Sequence, residues 1–153
     1  MKPWIMYVIG TILCWGAYVP TIHGGQLGFG ETKGPLRAFL FVGLTYCLVA
    51  ALIPAWFIFV NKAEPAVFPA KGMAISILAG VFGALGALGV IFALKSGGTP
   101  QTVPSLVFAG APIVATIIGM ILHKPTNAPS PMFYVGILLA AAGAGLVLRF
   151  KPV

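Results

Sequence analysis

Four residues set in otherwise apolar sequence offer binding chemistry: Trp15, Tyr18, Tyr46 and Thr116. An indole and two phenols present flat faces for stacking, and the phenols and the threonine add hydroxyls that hydrogen-bond a polar solute. Trp15 and Tyr18 are three residues apart and share a face of any helix that carries them. The set holds no carboxylate, so it suits a neutral or anionic small solute better than a cation. The only acids, Glu31 and Glu64, fall between the long apolar runs. Cys14 and Cys47 lie inside such runs without CxxC spacing and read as small packing residues. His23 and His123 fall just beyond run ends and read as hydrated loop residues. No ionisable or metal-binding cluster stands where intramembrane catalysis would need one, so the expectation is no enzyme, no metal and no cofactor.

The elements that must position these residues are membrane helices. Of 153 residues, 59% are hydrophobic and 7% charged, against about a quarter charged in soluble domains. A hydrocarbon core about 30 Å thick takes roughly 20 apolar residues per spanning helix. Counted that way, the chain predicts five spans, at 3–22, 36–60, 72–94, 103–122 and 132–148. Arg37 is the one charge inside them, a residue from an end, where it snorkels to the headgroups. The connecting segments are short, so the expectation is one all-α membrane domain over 1–153 without a soluble catalytic module. The first run starts after Lys2 in the manner of a signal peptide, but Tyr18-Val19-Pro20-Thr21 stands where a small-residue cleavage site would be, so it is expected to be retained.

Within the spans, Gly80, Gly83, Gly86 and Gly89 recur every third residue, forming a slanting small-residue stripe suited to close helix packing or sliding. A shorter version occupies Ala140 to Gly145. Pro54, Pro104 and Pro112 fall inside spans, and Pro112 is expected to kink the fourth near its middle. Bent helices at mid-depth line the binding sites of many transporters, and elsewhere simply pack.

The net charge of +7 is scattered over helix ends and loops, which suits lipid headgroups and argues against nucleic acid. Five spans place Lys2, Lys62, Lys71 and Lys124 on one side, and Lys33, Arg37, Lys95, Arg149 and Lys151 on the other. That split of four to five gives almost no positive-inside bias, so orientation is either dual or imposed by a partner.

SLVFAGAPIVATIIGMILHKP followed by MFYVGILLAAAGAGLVLRFKP resembles the second half of an EamA-type repeat of the drug/metabolite transporter superfamily, and CWGAYVP at Cys14 to Pro20 resembles its Trp-Gly-containing first helix. The resemblance implies a five-span half of a ten-helix inverted-repeat fold in a bacterial inner or plasma membrane. It also implies a missing half, supplied by a second copy, in the same or the inverted orientation, or by a related five-span chain. Trp15, Tyr18, Tyr46 and Thr116 would then line its cavity. One departure stands out: many members carry a glutamate after the fourth span, where this chain reads Leu122, His123, Lys124. The competing expectation is a non-transporting accessory subunit that packs into a larger membrane complex through its Gly and Ala surfaces.

Overall fold

The computed structural model describes residues 3–30, 34–123 and 125–150. These form α1 (Pro3–Gly28), α2 (Pro35–Ala55) continued by a π-helical turn (Trp56–Val60), α3 (Ala70–Lys95), α4 (Thr102–Leu122) and α5 (Pro131–Arg149). No strand occurs among the described residues. Helix is what such a sequence must form in lipid, since only intrahelical bonding satisfies every backbone N–H and C=O there. All five helices are long and apolar enough to cross a membrane, the second as Pro35–Val60. At 1.5 Å per residue, the three of 26 residues are roughly 39 Å long and exceed the hydrocarbon core, so they tilt or project beyond it. Lys2, Glu31, Lys33, Lys124 and Lys151, which entered the charge and orientation arguments, lie outside the described residues.

The predicted spans coincide with the helices except at the first. Helix α1 runs on to Gly28, so His23 is a helical residue and not a loop residue. Gly24 and Gly25 each weaken a helix by about 1 kcal/mol relative to alanine. Burial of Val19, Ile22 and Gln26 along one face supplies the tertiary support that outweighs this. Pro20 also sits inside α1, a third helix-interior proline beside Pro54 and Pro112. Pro104 falls in the first turn of α4, where a missing N–H costs no intrahelical bond. Beyond Pro54 the chain widens into the π turn instead of simply bending.

The contacts divide into two compact units, Met1–Gly16 with Gly98–Val153, and Ala17–Gly97, with α1 running from one into the other. In the first, α4 packs along α5, where the Tyr134 hydroxyl donates to the Met120 sulfur at 3.9 Å. Trp15 sets its ring edge-on to Phe108 of α4, with centroids 5.9 Å apart. The Thr99 hydroxyl accepts from the Thr102 N–H at 3.2 Å and pairs with the Thr102 hydroxyl at 2.7 Å, tying down the start of α4.

In the second unit, α2 packs on α3. A clasp joins the end of α1 to the start of α2: the Gly34 N–H donates to the Gln26 carbonyl at 3.0 Å, Arg37 lies 5.0 Å from the centre of the Phe29 ring, and Phe29 stacks on Phe41 at 6.2 Å. Gly34 is required by close approach, since a Cβ there would stand 2.8 Å from Phe29 Cβ and 2.7 Å from Arg37 Nε. Helix α3 ends at Lys95, followed by Gly97 at φ +100°, a conformation that glycine adopts without strain.

Candidate functional site

Hydroxyls within membrane helices have a default partner, the carbonyl four residues back. Thr11 donates to the Tyr7 carbonyl, Thr45 to that of Phe41 and Ser105 to that of Gln101, each at 2.9 Å. These groups are satisfied inside their own helices and have no hydrogen left to donate to a solute.

Three polar atoms behave differently. The Tyr18 hydroxyl, His23 Nδ1 and Gln26 Nε2 are all buried and have no hydrogen-bond partner among the described residues. All three belong to the second unit and to α1. Tyr18, Ile22 and Gln26 are spaced i, i+4, i+8 and share a face, with Val19 and His23 beside them one residue on. Gln26 is 3% exposed and is one of two buried polar residues in the described chain. A buried donor left unpaired costs about 1–3 kcal/mol, so three of them on one helix face form a concentrated polar liability. Tyr46 of α2 belongs to the same unit as these residues.

From Tyr18 to Gln26 is eight residues, roughly 12 Å along the helix axis. Tyr18 sits near the middle of Pro3–Gly28 and Gln26 near its end, so the unpaired atoms run as a ladder from mid-helix toward one terminus. Chemically this face offers a phenol, an imidazole nitrogen and an amide, groups that donate to or accept from hydroxyls and carboxylates.

The four residues singled out in the sequence divide between the two units. Tyr18 and Tyr46 belong to one, and Trp15 and Thr116 to the other. Trp15 is 55% and Tyr46 53% exposed, surfaces that in a membrane face lipid or another chain. Thr116 is half-buried on α4. Cys14 and Cys47 are free and exposed. Among the described residues no cluster of His, Cys, Asp and Glu could hold a metal ion. A Cβ built at Gly80, Gly83, Gly86 or Gly89 meets no described atom within 4 Å, so the stripe stands open among the described residues.

Sequence reasoning missed Gln26 and placed His23 in water. The available signal was the continuation of the Tyr18–Ile22 spacing to Gln26, masked by the glycine pair between.

The composition and the five spanning helices define an integral membrane protein. No family model matches the chain, and no curated protein or solved structure is significantly similar to it.

Proposed function

We propose that this chain is one half of a membrane transporter. Two copies, or one copy and a related five-span chain, associate into a ten-helix inverted-repeat unit and move a small neutral or anionic polar metabolite by alternating access across a bacterial inner or plasma membrane. The observation that carries the reading is the ladder of unpartnered polar atoms at Tyr18, His23 and Gln26. The hydroxyls of Thr11, Thr45 and Ser105, by contrast, bond back to their own helix backbone. A polar solute passing along α1 would satisfy the three groups that do not.

The chemistry of this face sets the substrate class. Uncharged donors and acceptors recognise hydroxyls or a carboxylate, and no acid within a span is present to exchange a cation for protons. The near-equal charge split between the two sides supports assembly of oppositely oriented copies. The EamA-type resemblance supports the half-transporter size, since that repeat works in pairs.

A second reading, a non-transporting accessory subunit of a larger membrane complex, is favoured by the open glycine stripe of α3, a surface suited to another protein's helix. Mapping the orientation of tagged termini in membranes separates the two. The transporter reading predicts both orientations, or one orientation with a five-span partner in the other. The accessory reading predicts a single orientation and recovery in one complex of fixed stoichiometry with larger subunits.

A further inference from the structure

The end of the second span builds a groove of about 420 Å³, lined by Ile58, Phe59, Lys62, Glu64, Pro65 and Ala66. Its construction starts with the π turn. The Asn61 N–H donates to the Trp56 carbonyl at 3.0 Å, the Ala63 N–H reaches back to the Phe57 carbonyl at 2.9 Å, and the Val67 N–H closes on the Pro65 carbonyl at 2.8 Å. This wide helix ending folds the following loop back over the last helical turn. Phe68 then meets Phe59 at 6.3 Å on the same side. Trp56, Phe57, Phe59 and Phe68 are all exposed here, the aromatic concentration that marks headgroup depth in a membrane helix.

Two features of the groove bear on what it could hold. Lys62 adopts φ 52°, and it is the one non-glycine residue with positive φ among the described residues. The other two such positions are Gly30 and Gly97. A left-handed residue just past a helix end is a common way to stop it, and here it lets the Ala63 N–H reach back to the Phe57 carbonyl while leaving the Lys62 side chain on the lining of the groove. Opposite charges also line the same groove, yet among the described residues Lys62 and Glu64 are in no ion pair. A cation and an anion that line one groove, both exposed and not paired with each other, can receive a ligand that carries both charges.

We propose that this groove binds the headgroup of a zwitterionic aminophospholipid, Lys62 taking the phosphate and Glu64 the primary ammonium, with an acyl chain along Ile58 and Phe59. The ammonium's N–H groups distinguish this ligand from a quaternary choline, which cannot donate to Glu64. The missing net charge distinguishes it from an anionic glycerol headgroup, for which Glu64 is repulsive. The lipid source follows from the aromatic belt around the groove and from its apolar wall.

The test uses the purified full-length protein in detergent, titrated with phosphatidylethanolamine, phosphatidylglycerol and phosphatidylcholine and read by native mass spectrometry. Phosphatidylethanolamine should bind about tenfold more tightly than either of the others, the factor expected of one charge-assisted hydrogen bond. Lys62→Asn removes the charge while keeping a residue that tolerates the left-handed backbone, and Glu64→Gln removes the other charge isosterically. Each should reduce the preference to within about twofold, with helicity unchanged. Soluble phosphoethanolamine at millimolar concentration should fail to displace the lipid. Equal binding of the three lipids, or a preference that survives both substitutions, overturns the proposal. So does a preference for phosphatidylglycerol that is lost in Lys62→Asn and indifferent to Glu64→Gln, which would make the groove a simple cationic site. Displacement by soluble phosphoethanolamine would assign the groove to a free zwitterion and overturn the lipid as its ligand.

Discussion

Replacing Gln26 by leucine should make the protein more stable and less functional at once. The side chain is 3% exposed and its amide nitrogen has no partner among the described residues, so the folded, unliganded protein carries a desolvation cost of about 1–3 kcal/mol for it. Leucine is of similar length, sits on the same face as Ile22 and Val19, and removes that cost without opening a cavity. Gln26→Leu should therefore raise the unfolding free energy by about 1–3 kcal/mol, read as a higher midpoint in thermal unfolding of the detergent-purified protein. If the amide is a rung on a solute path, the same exchange leaves a solute hydroxyl or carboxylate unpaired at that depth. The apparent affinity in liposome uptake of neutral hexoses and small organic anions should then fall roughly fivefold to a hundredfold. Destabilisation by Gln26→Leu would refute the premise that the amide is unpaired. Greater stability with undiminished uptake would refute the assignment of this face to the solute.

Tyr18→Phe deletes the buried hydroxyl at the other end of the ladder, and should match Gln26→Leu in direction, with a gain of about 1 kcal/mol in stability and weaker uptake. Gly34→Ala should destabilise by about 1–3 kcal/mol, because the new Cβ falls 2.8 Å from Phe29 Cβ and forces the clasp apart. Gly24→Ala, in open space within α1, should instead stabilise by up to about 1 kcal/mol, and thermal unfolding of the pair in parallel checks the contrast. A Cβ at Gly86 meets no described atom within 4 Å, so Gly86→Leu should leave helicity intact while reducing oligomer size in gel filtration. An unchanged oligomer would turn the stripe toward lipid.

The five helices were legible because lipid leaves a sequence few choices: an uncharged run of 20 residues must close its own hydrogen bonds. Hydropathy fails where polarity and membrane depth part company. His23, Gly24, Gly25 and Gln26 read as a loop by composition, yet burial of Ile22 and Gln26 holds them in α1. The polar face was lost with that boundary, since a residue assigned to water gives no reason to ask where its hydrogen bonds go. Thr45 shows the opposite case, a polar residue within a span that satisfies itself on the Phe41 carbonyl. Trp15 and Tyr18 do stand three residues apart on the one helix α1, but the boundary between the two compact units falls between them, a division that no local spacing reveals. The π turn beyond Pro54 and the left-handed Lys62 likewise depend on how the loop returns over the helix end, which the residue types alone do not encode.

The central claim, transport of a neutral or anionic polar solute without an intramembrane acid, is tested most directly by solute flux in liposomes reconstituted with the purified chain. The account predicts saturable counterflow of at least one neutral hexose or small organic anion, weakened by Gln26→Leu, and no accumulation of tetraphenylphosphonium when a proton gradient is imposed. Robust proton-driven accumulation of that cation would contradict it, as would the absence of flux across the solute panel together with recovery of the chain in a membrane complex of fixed stoichiometry.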